Sequence, residues 1–334
     1  MLLLPLLALV VHGLAWWWMT GLIAAGFADW TTVRRAEGWS IEHDPPHRAG
    51  WPFAAELVVP ALQVEARGRG LAEPVTHVAE RLVLRVAPPH LGRLALRWEG
   101  AQRLRLGALE VPFTAARLEA QVPLEPSPLP RGIDILGEGI AAVPPDGPME
   151  LRRARLRLEP GAVAQEPALL LDLQAEGLRL PPATSAPAVA AFGPLVEAVR
   201  VSLTLTGPPP LPPSARRARL WRDAGGVLDV QSAALRWGPL DGEARMQVTL
   251  DAALQPQGMG ELRLIGASRA IAATEEARLL PRATARAAQA VVALMSRMPS
   301  DGGPAEVTVP IAVEQGRFSV AHIPLLHLRP LAWP

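Results

Sequence analysis

Between Leu2 and Phe27 the chain carries no charged side chain, and this run constrains every reading of the remaining residues. A helix rises about 1.5 Å per residue, so a run of this length can cross a hydrocarbon core about 30 Å thick. The expectation is an uncleaved transmembrane anchor over residues 1–28, followed by globular material. Trp16, Trp17 and Trp18 within the run, and Trp30 just beyond it, are read as anchor and interface residues, because tryptophan favours that boundary. A cleaved signal peptide competes with this reading, with Gly26-Phe27-Ala28 as a small-residue cleavage site before Asp29. Against cleavage, the apolar core is long and no basic segment precedes it. A buried core helix of this length would usually carry a polar face. The flanking charges Asp29, Arg34, Arg35 and Glu37 cancel, so they do not encode an orientation.

The 334 residues suffice for one large domain or two ordinary ones after the anchor. Hydrophobic content of 49% excludes global disorder. A net charge of +1 provides no steering field for nucleic acid or anionic lipid. The basic residues are arginines, and with 36 prolines and abundant alanine this matches the codon bias of a GC-rich bacterial genome. Arginine richness is therefore not a binding signal. The absence of cysteine excludes disulfides, thiolate nucleophiles and cysteine-ligated metals.

Beyond the anchor, Ala28 to Gly38 reads as a short amphipathic helix with Gly38 as its C-cap. Glu42-His43-Asp44-Pro45-Pro46 reads as a rigid turn, and a strand begins at Glu56. From there the dominant period is two. Leu82, Leu84 and Val86 alternate with Val83 and Arg85; Leu94, Leu96 and Trp98 alternate with Ala95 and Arg97. Val307, Val309, Ile311 and Val313 do the same near the C-terminus. This is the pattern of antiparallel strands with one buried face and one wet face. Turn signals separate such runs at Pro88-Pro89, Gly225-Gly226, Asp241-Gly242, Gln257-Gly258 and Gln315-Gly316, and Gly68-Arg69-Gly70 reads as a further turn. The helix candidates are Ala188 to Val199, Pro212 to Asp223 and Pro281 to Met298, the last with apolar residues spaced three and four apart. Proline-rich stretches at Pro123 to Pro130, Pro144 to Pro148 and Pro208 to Pro213 are candidate linkers. The expected organisation is a β-rich half at 29–207 and a second at 208–334 that contains helix 281–298. The fold class is mostly β (α+β): a large twisted or curved antiparallel sheet with a few packed helices.

No residue set compels a reaction. His43 and His47 flank Asp44, but the prolines between them forbid the helical geometry that makes such spacing meaningful, so a solvated turn is the expectation. His322 and His327 are five apart, which puts them on opposite faces of a regular strand. No Gly-x-Ser-x-Gly elbow, phosphate loop or dinucleotide fingerprint occurs. Glu275-Glu276 reads as a charge pair at a helix N-terminus, where the dipole favours acids. The arginines alternate along strands with acids nearby, and aromatics are only 4%, so the expectation is a solvated sheet face rather than a nucleic-acid surface. No catalytic residue, metal site or cofactor is assigned. Trp98, Trp221 and Trp237 are expected in the core or on a sheet face.

Three segments carry a resemblance. Trp30 to Trp39 is followed by Gly50-Trp51-Pro52-Phe53; later come Leu235-Arg236-Trp237-Gly238-Pro239-Leu240 and Leu250-Asp251 with Gly258-Met259-Gly260; the C-terminus has Gln315-Gly316-Arg317-Phe318 and Ile323-Pro324-Leu325. This order resembles an alphaproteobacterial family of N-terminally anchored envelope proteins, catalogued as a domain of unknown function, over nearly the whole chain. The segment from Asp251 to Gly260 is also similar to strands of AsmA-like envelope proteins, whose curved sheets are associated with lipid handling. Gly50, Trp51, Pro52 and Phe53, with Trp237, Gly238 and Pro239, are the motif residues. Where the family usually has glycine-proline before the last isoleucine-proline, this chain has Ala321-His322. The resemblance implies an inner-membrane anchor with the bulk of the chain in the periplasm, and it implies no catalytic residues.

The expected function is a non-enzymatic, membrane-anchored envelope protein that binds a lipid or another apolar ligand in a sheet groove. Long strands with one apolar face and few helices to cover it leave such a groove. The alternatives are a scaffold that docks an envelope protein partner through a sheet edge and, third, an anchored hydrolase. No nucleic-acid partner is expected.

Overall fold

The computed structural model describes residues 3–66, 74–124, 132–163, 166–181, 187–208, 213–297 and 305–333. Gly68 to Gly70, the central prolines of the first and third proline-rich stretches, and Met298 lie outside these residues. By compactness the chain divides at the second proline-rich stretch into two units, Met1–Pro145 and Asp146–Pro334. The composition-based boundary at 207/208 falls inside the second unit.

In the first unit the anchor and the amphipathic segment after it form one continuous helix, α1 (Leu3–Ala36). It stops where expected. The Gly38 N–H donates to the Arg35 carbonyl and the Trp39 N–H to the Arg34 carbonyl, both at 3.0 Å, which closes the last turn with paired capping bonds. Two short strands come next, β1 (Ser40–Glu42) and β2 (His47–Ala49), and both pair with β3 (Ala55–Ala66). The chain then meanders through β4 (Val75–Val86), β5 (Arg93–Leu106), β6 (Leu109–Pro123) and β7 (Ile133–Ala142), each antiparallel to the one before. Thr20, Ile23, Ala24, Phe27 and Thr31 form one helical face, spaced at three and four residues. Of these, Ile23, Ala24 and Phe27 pack on Leu57, Val59, Leu82 and Leu84 of β3 and β4. The two threonines are buried without cost to hydrogen bonding, because their hydroxyls donate to the helix's own carbonyls at Trp17 and Ala28. Leu82, Leu84 and Val86 are buried as the alternation predicts, but Val83 is buried too, opposite Val58 of β3.

In the second unit the strands are again antiparallel. Its elements in chain order are β8 (Met149–Val163), β9 (Glu166–Arg179), α2 (Pro187–Phe192), β10 (Leu195–Thr206), α3 (Ala215–Asp223), β11 (Leu228–Trp237), β12 (Leu240–Leu250), β13 (Pro256–Ile265), α4 (Ala267–Glu276), α5 (Arg282–Met295), β14 (Glu306–Glu314), β15 (Arg317–Val320) and β16 (Ile323–His327). Each strand pairs with its sequence neighbour. Along β14 the alternation holds without exception: Val307, Val309, Ile311 and Val313 are buried between more exposed neighbours. Short helices cap this sheet locally. Ala218 and Trp221 of α3 pack on Leu250 and Leu254, with Trp333 against them. Ala267 of α4 and Val292 of α5 pack on Val307 and Val309.

Several expectations are corrected. Ala188 to Val199 is not one helix: α2 ends at Phe192, the Gly193-Pro194 pair breaks it, and Val196, Val199 and Val201 continue as β10 between β9 and β11. Asp241-Gly242 and Gln257-Gly258 lie inside β12 and β13. The turns fall instead at Gly238-Pro239 and at residues 251–255, where the Asp251 carboxylate accepts the Gln255 N–H at 2.8 Å. Glu275 and Glu276 end α4 rather than begin a helix, and α4 itself is not among the helices that periodicity predicts. Glu275 nonetheless reaches the start of α5, 4.0 Å from Arg282.

Candidate functional site

The site is in the first unit, where an apolar helix lies over an apolar sheet face and leaves space beside it. A cavity of about 790 Å³ separates α1 from β4, β5 and β6. Its helix wall runs from Trp18 through Leu22 and Phe27 to Trp30 and Arg34. Sixteen residues separate the ends of that wall, or about 24 Å along the axis. The opposite wall is Leu84, Leu94, Leu96 and Val122, the inward positions of alternating strands. Leu91 and Leu124, both exposed, form the rim at the end where β5 begins and β6 ends. Arg34 is the one charged residue among the described lining. Its guanidinium pairs with Glu37 and lies 5.5 Å from the Trp39 ring centre. The packed contacts of α1 centre on β3 and β4, and the cavity opens where the helix faces β4, β5 and β6.

The loop between β2 and β3 is the second feature. Gly50, Trp51, Pro52 and Phe53 turn tightly: the Phe53 and Ala54 N–H groups both donate to the Gly50 carbonyl, at 3.0 and 2.9 Å. The Trp51–Pro52 peptide is cis. Gly50 has φ +87°, and a Cβ there would come within 2.6 Å of the Ala54 carbonyl oxygen, so no larger residue fits. This loop is clamped to α1. The Trp16 indole N–H donates to the Ala54 carbonyl at 2.9 Å, with the Ala49 carbonyl at 3.3 Å. His12 Nε2 lies 2.7 Å from the Pro52 carbonyl oxygen. The Trp51 ring packs against His12 at 4.8 Å and edge-on against Trp16 at 5.8 Å, and Arg48 sits over the Trp17 ring at 5.0 Å.

The three clustered tryptophans thus have three different surroundings. Trp16 holds the loop, Trp17 carries Arg48, and Trp18 lines the cavity. Trp30 stacks on Phe27 at 6.0 Å and also lines it. The second motif is in the other unit and has a local packing role there. The Trp237 indole N–H donates to the Gly193 carbonyl at 2.8 Å, its ring meets Phe192, and the Gly238 N–H donates to Glu197. Gly238 has φ +53°, and a Cβ would collide with the Phe192 carbonyl. Pro239 completes that hairpin turn. Sequence reasoning missed the contact of His12 with the loop, because the partners are forty residues apart.

The histidines give no metal centre. Among the described residues no group of three or more histidine, aspartate or glutamate side chains is placed to hold an ion. His43 bonds its neighbour's carbonyl and packs on Phe27, His47 is in β2, and His322 lies in the turn before β16 rather than in a strand with His327. His77 of β4 is a titratable group shifted by its surroundings. Burial lowers its pKa, and a hydrogen bond with the Gln102 side chain at 2.9 Å partly opposes that.

The family model described as "Uncharacterized protein conserved in bacteria (DUF2125)" matches residues 16–329. No curated protein and no solved structure matches the chain.

Proposed function

The chain belongs to the DUF2125 family of bacterial proteins, and for this member we propose a non-enzymatic envelope protein, anchored in the inner membrane by α1 with its bulk in the periplasm, that takes the hydrocarbon chain of a lipid into the α1 cavity. The observation that carries this is the helix wall. Over Leu3–Phe27 the helix that lines the cavity is apolar on its outward side as well, with Leu7, Val11 and Leu14 exposed. A helix apolar all round seeks an apolar medium outside the protein, and a bilayer is the obvious one. The cavity then opens at Trp18, Leu91 and Leu124 toward that medium and ends near a single cation at Arg34. Its size suits one small-molecule or lipid-chain ligand. Packing also supports a retained helix over a cleaved signal, since cleavage after Ala28 would remove Ile23, Ala24 and Phe27 from the core of the first unit. The likeness of the Asp251 to Gly260 segment to AsmA-like strands is consistent with a lipid ligand.

The test is native mass spectrometry of the full chain in a mild detergent, followed by organic extraction, beside the variant Leu96→Trp, which fills the cavity. The proposal expects lipid retained by the natural chain and mostly lost from the variant. Equal retention, or a lipid-free mass for both, removes the cavity as the lipid site. A second reading is a scaffold that docks a partner on β16, whose Leu325 and Leu326 are exposed at the sheet edge. Crosslinking from that strand would reveal it.

A further inference from the structure

We infer that the Gly50–Phe53 loop is inserted in the bilayer alongside α1, so that this end of the first unit, and not the helix alone, is embedded in the membrane. The inference rests on α1 being a membrane helix. A span needs about 20 residues, and any such window within Leu3–Phe27 contains residues 8–22. The helix positions that grip the loop are His12, Trp16 and Trp17, all inside that window. Whatever the depth of the helix, the loop shares it.

The loop is built for that place. From Ala49 to Ala55 it has no charge, and Phe53 is 81% exposed and Trp51 43% exposed. Non-helical backbone survives at membrane depth only where its polar groups are satisfied by protein. Here the carbonyls of Ala49 and Ala54 accept from Trp16, that of Pro52 lies against His12, and that of Gly50 accepts two N–H groups of its own turn. Arg48, just before the loop, has its guanidinium over the Trp17 ring, 5.0 Å from its centre, and 3.8 Å from where a Cβ on Gly21 would be, so the cation points away from the loop tip at His12 and toward the C-terminal end of the span, the direction in which a long side chain reaches back to a headgroup region. Leu91 and Leu124 share this end of the sheet, because Ala55 pairs with Val86 and Arg93 with Pro123.

The chain has no cysteine, so a single introduced one is a clean probe. Full-length Phe53→Cys, Leu9→Cys and Glu110→Cys chains would each be spin-labelled in phosphatidylcholine–phosphatidylglycerol nanodiscs. Accessibility to oxygen and to a water-soluble nickel chelate would then be compared by power saturation. Leu9 reports on the helix, and Glu110 lies at the far end of β6 from the rim. The expected result is oxygen-favoured labels at Leu9 and Phe53 and a reversed ratio at Glu110. An oxygen-favoured label at Leu9 with a nickel-favoured one at Phe53 overturns the inserted loop and leaves the anchor standing. Nickel-favoured labels at both positions overturn the membrane reading of α1 and the inference with it.

Discussion

The two units solve one problem, covering the apolar face of an antiparallel sheet, with different helices. In the second unit the cover is short and amphipathic: α3 presents Ala218 and Trp221 to the sheet and arginines to solvent, and its Ser214 cap accepts the Arg217 N–H. Burial there is local, and water suits the arginines of the outer face. In the first unit the cover is α1, which packs through one face and is just as apolar on the other. It leaves a cavity beside it and clamps a loop whose tip is bare phenylalanine. The difference teaches that a helix's outward face, not its packing face, reveals the medium it was selected for.

The largest effect that would sharpen this contrast is in the second unit. Trp221 is buried, and its indole N–H donates to the Thr206 carbonyl at 2.7 Å. Trp221→Ala should cost about 4 kcal/mol, read by denaturant unfolding of the full chain in detergent, while lipid retention is unchanged. A loss of lipid on that change would break the separation of roles. In the first unit Trp16→Ala removes a clamp on a half-buried surface. It should cost about 2 kcal/mol and expose the Arg48 to Phe53 segment to protease. Unaltered protease resistance would mean that the loop does not depend on α1.

The smallest effect is the pH response of His77. Its folded pKa lies below the ordinary value because burial disfavours the charged ring. The unfolded chain therefore binds the proton first as pH falls. Stability is full above about pH 6.5 and declines as the solution is acidified through and below that point. Melting temperatures between pH 8 and 5 should fall less for His77→Phe than for the natural chain. Identical slopes would remove His77 as a contributor.

Much of the fold was legible in the chain itself. The charge-free run predicted α1 because only a helix buries its backbone polar groups over that length without partners. Period-two alternation predicted β14 because side chains in a strand point alternately to two environments. The alternation misled at Val83, where both faces of β4 are buried, and turn composition misled at Asp241-Gly242 and Gln257-Gly258, where the strand ladder outweighs local preference. Glu275-Glu276 misled because an acid pair marks a helix end without saying which.

What the sequence by itself determined is local: the long apolar helix, the strands and many of their turns, and the glycine at position 50. Only the tertiary structure decided that Trp16, Trp17 and Trp18 have three separate partners, that the loop at Gly50–Phe53 lies against His12, and that Leu96 faces a void rather than a filled core. The physical reason is that periodicity records which side of an element is apolar, whereas the partner that meets that side is chosen by contacts between residues thirty and more positions apart.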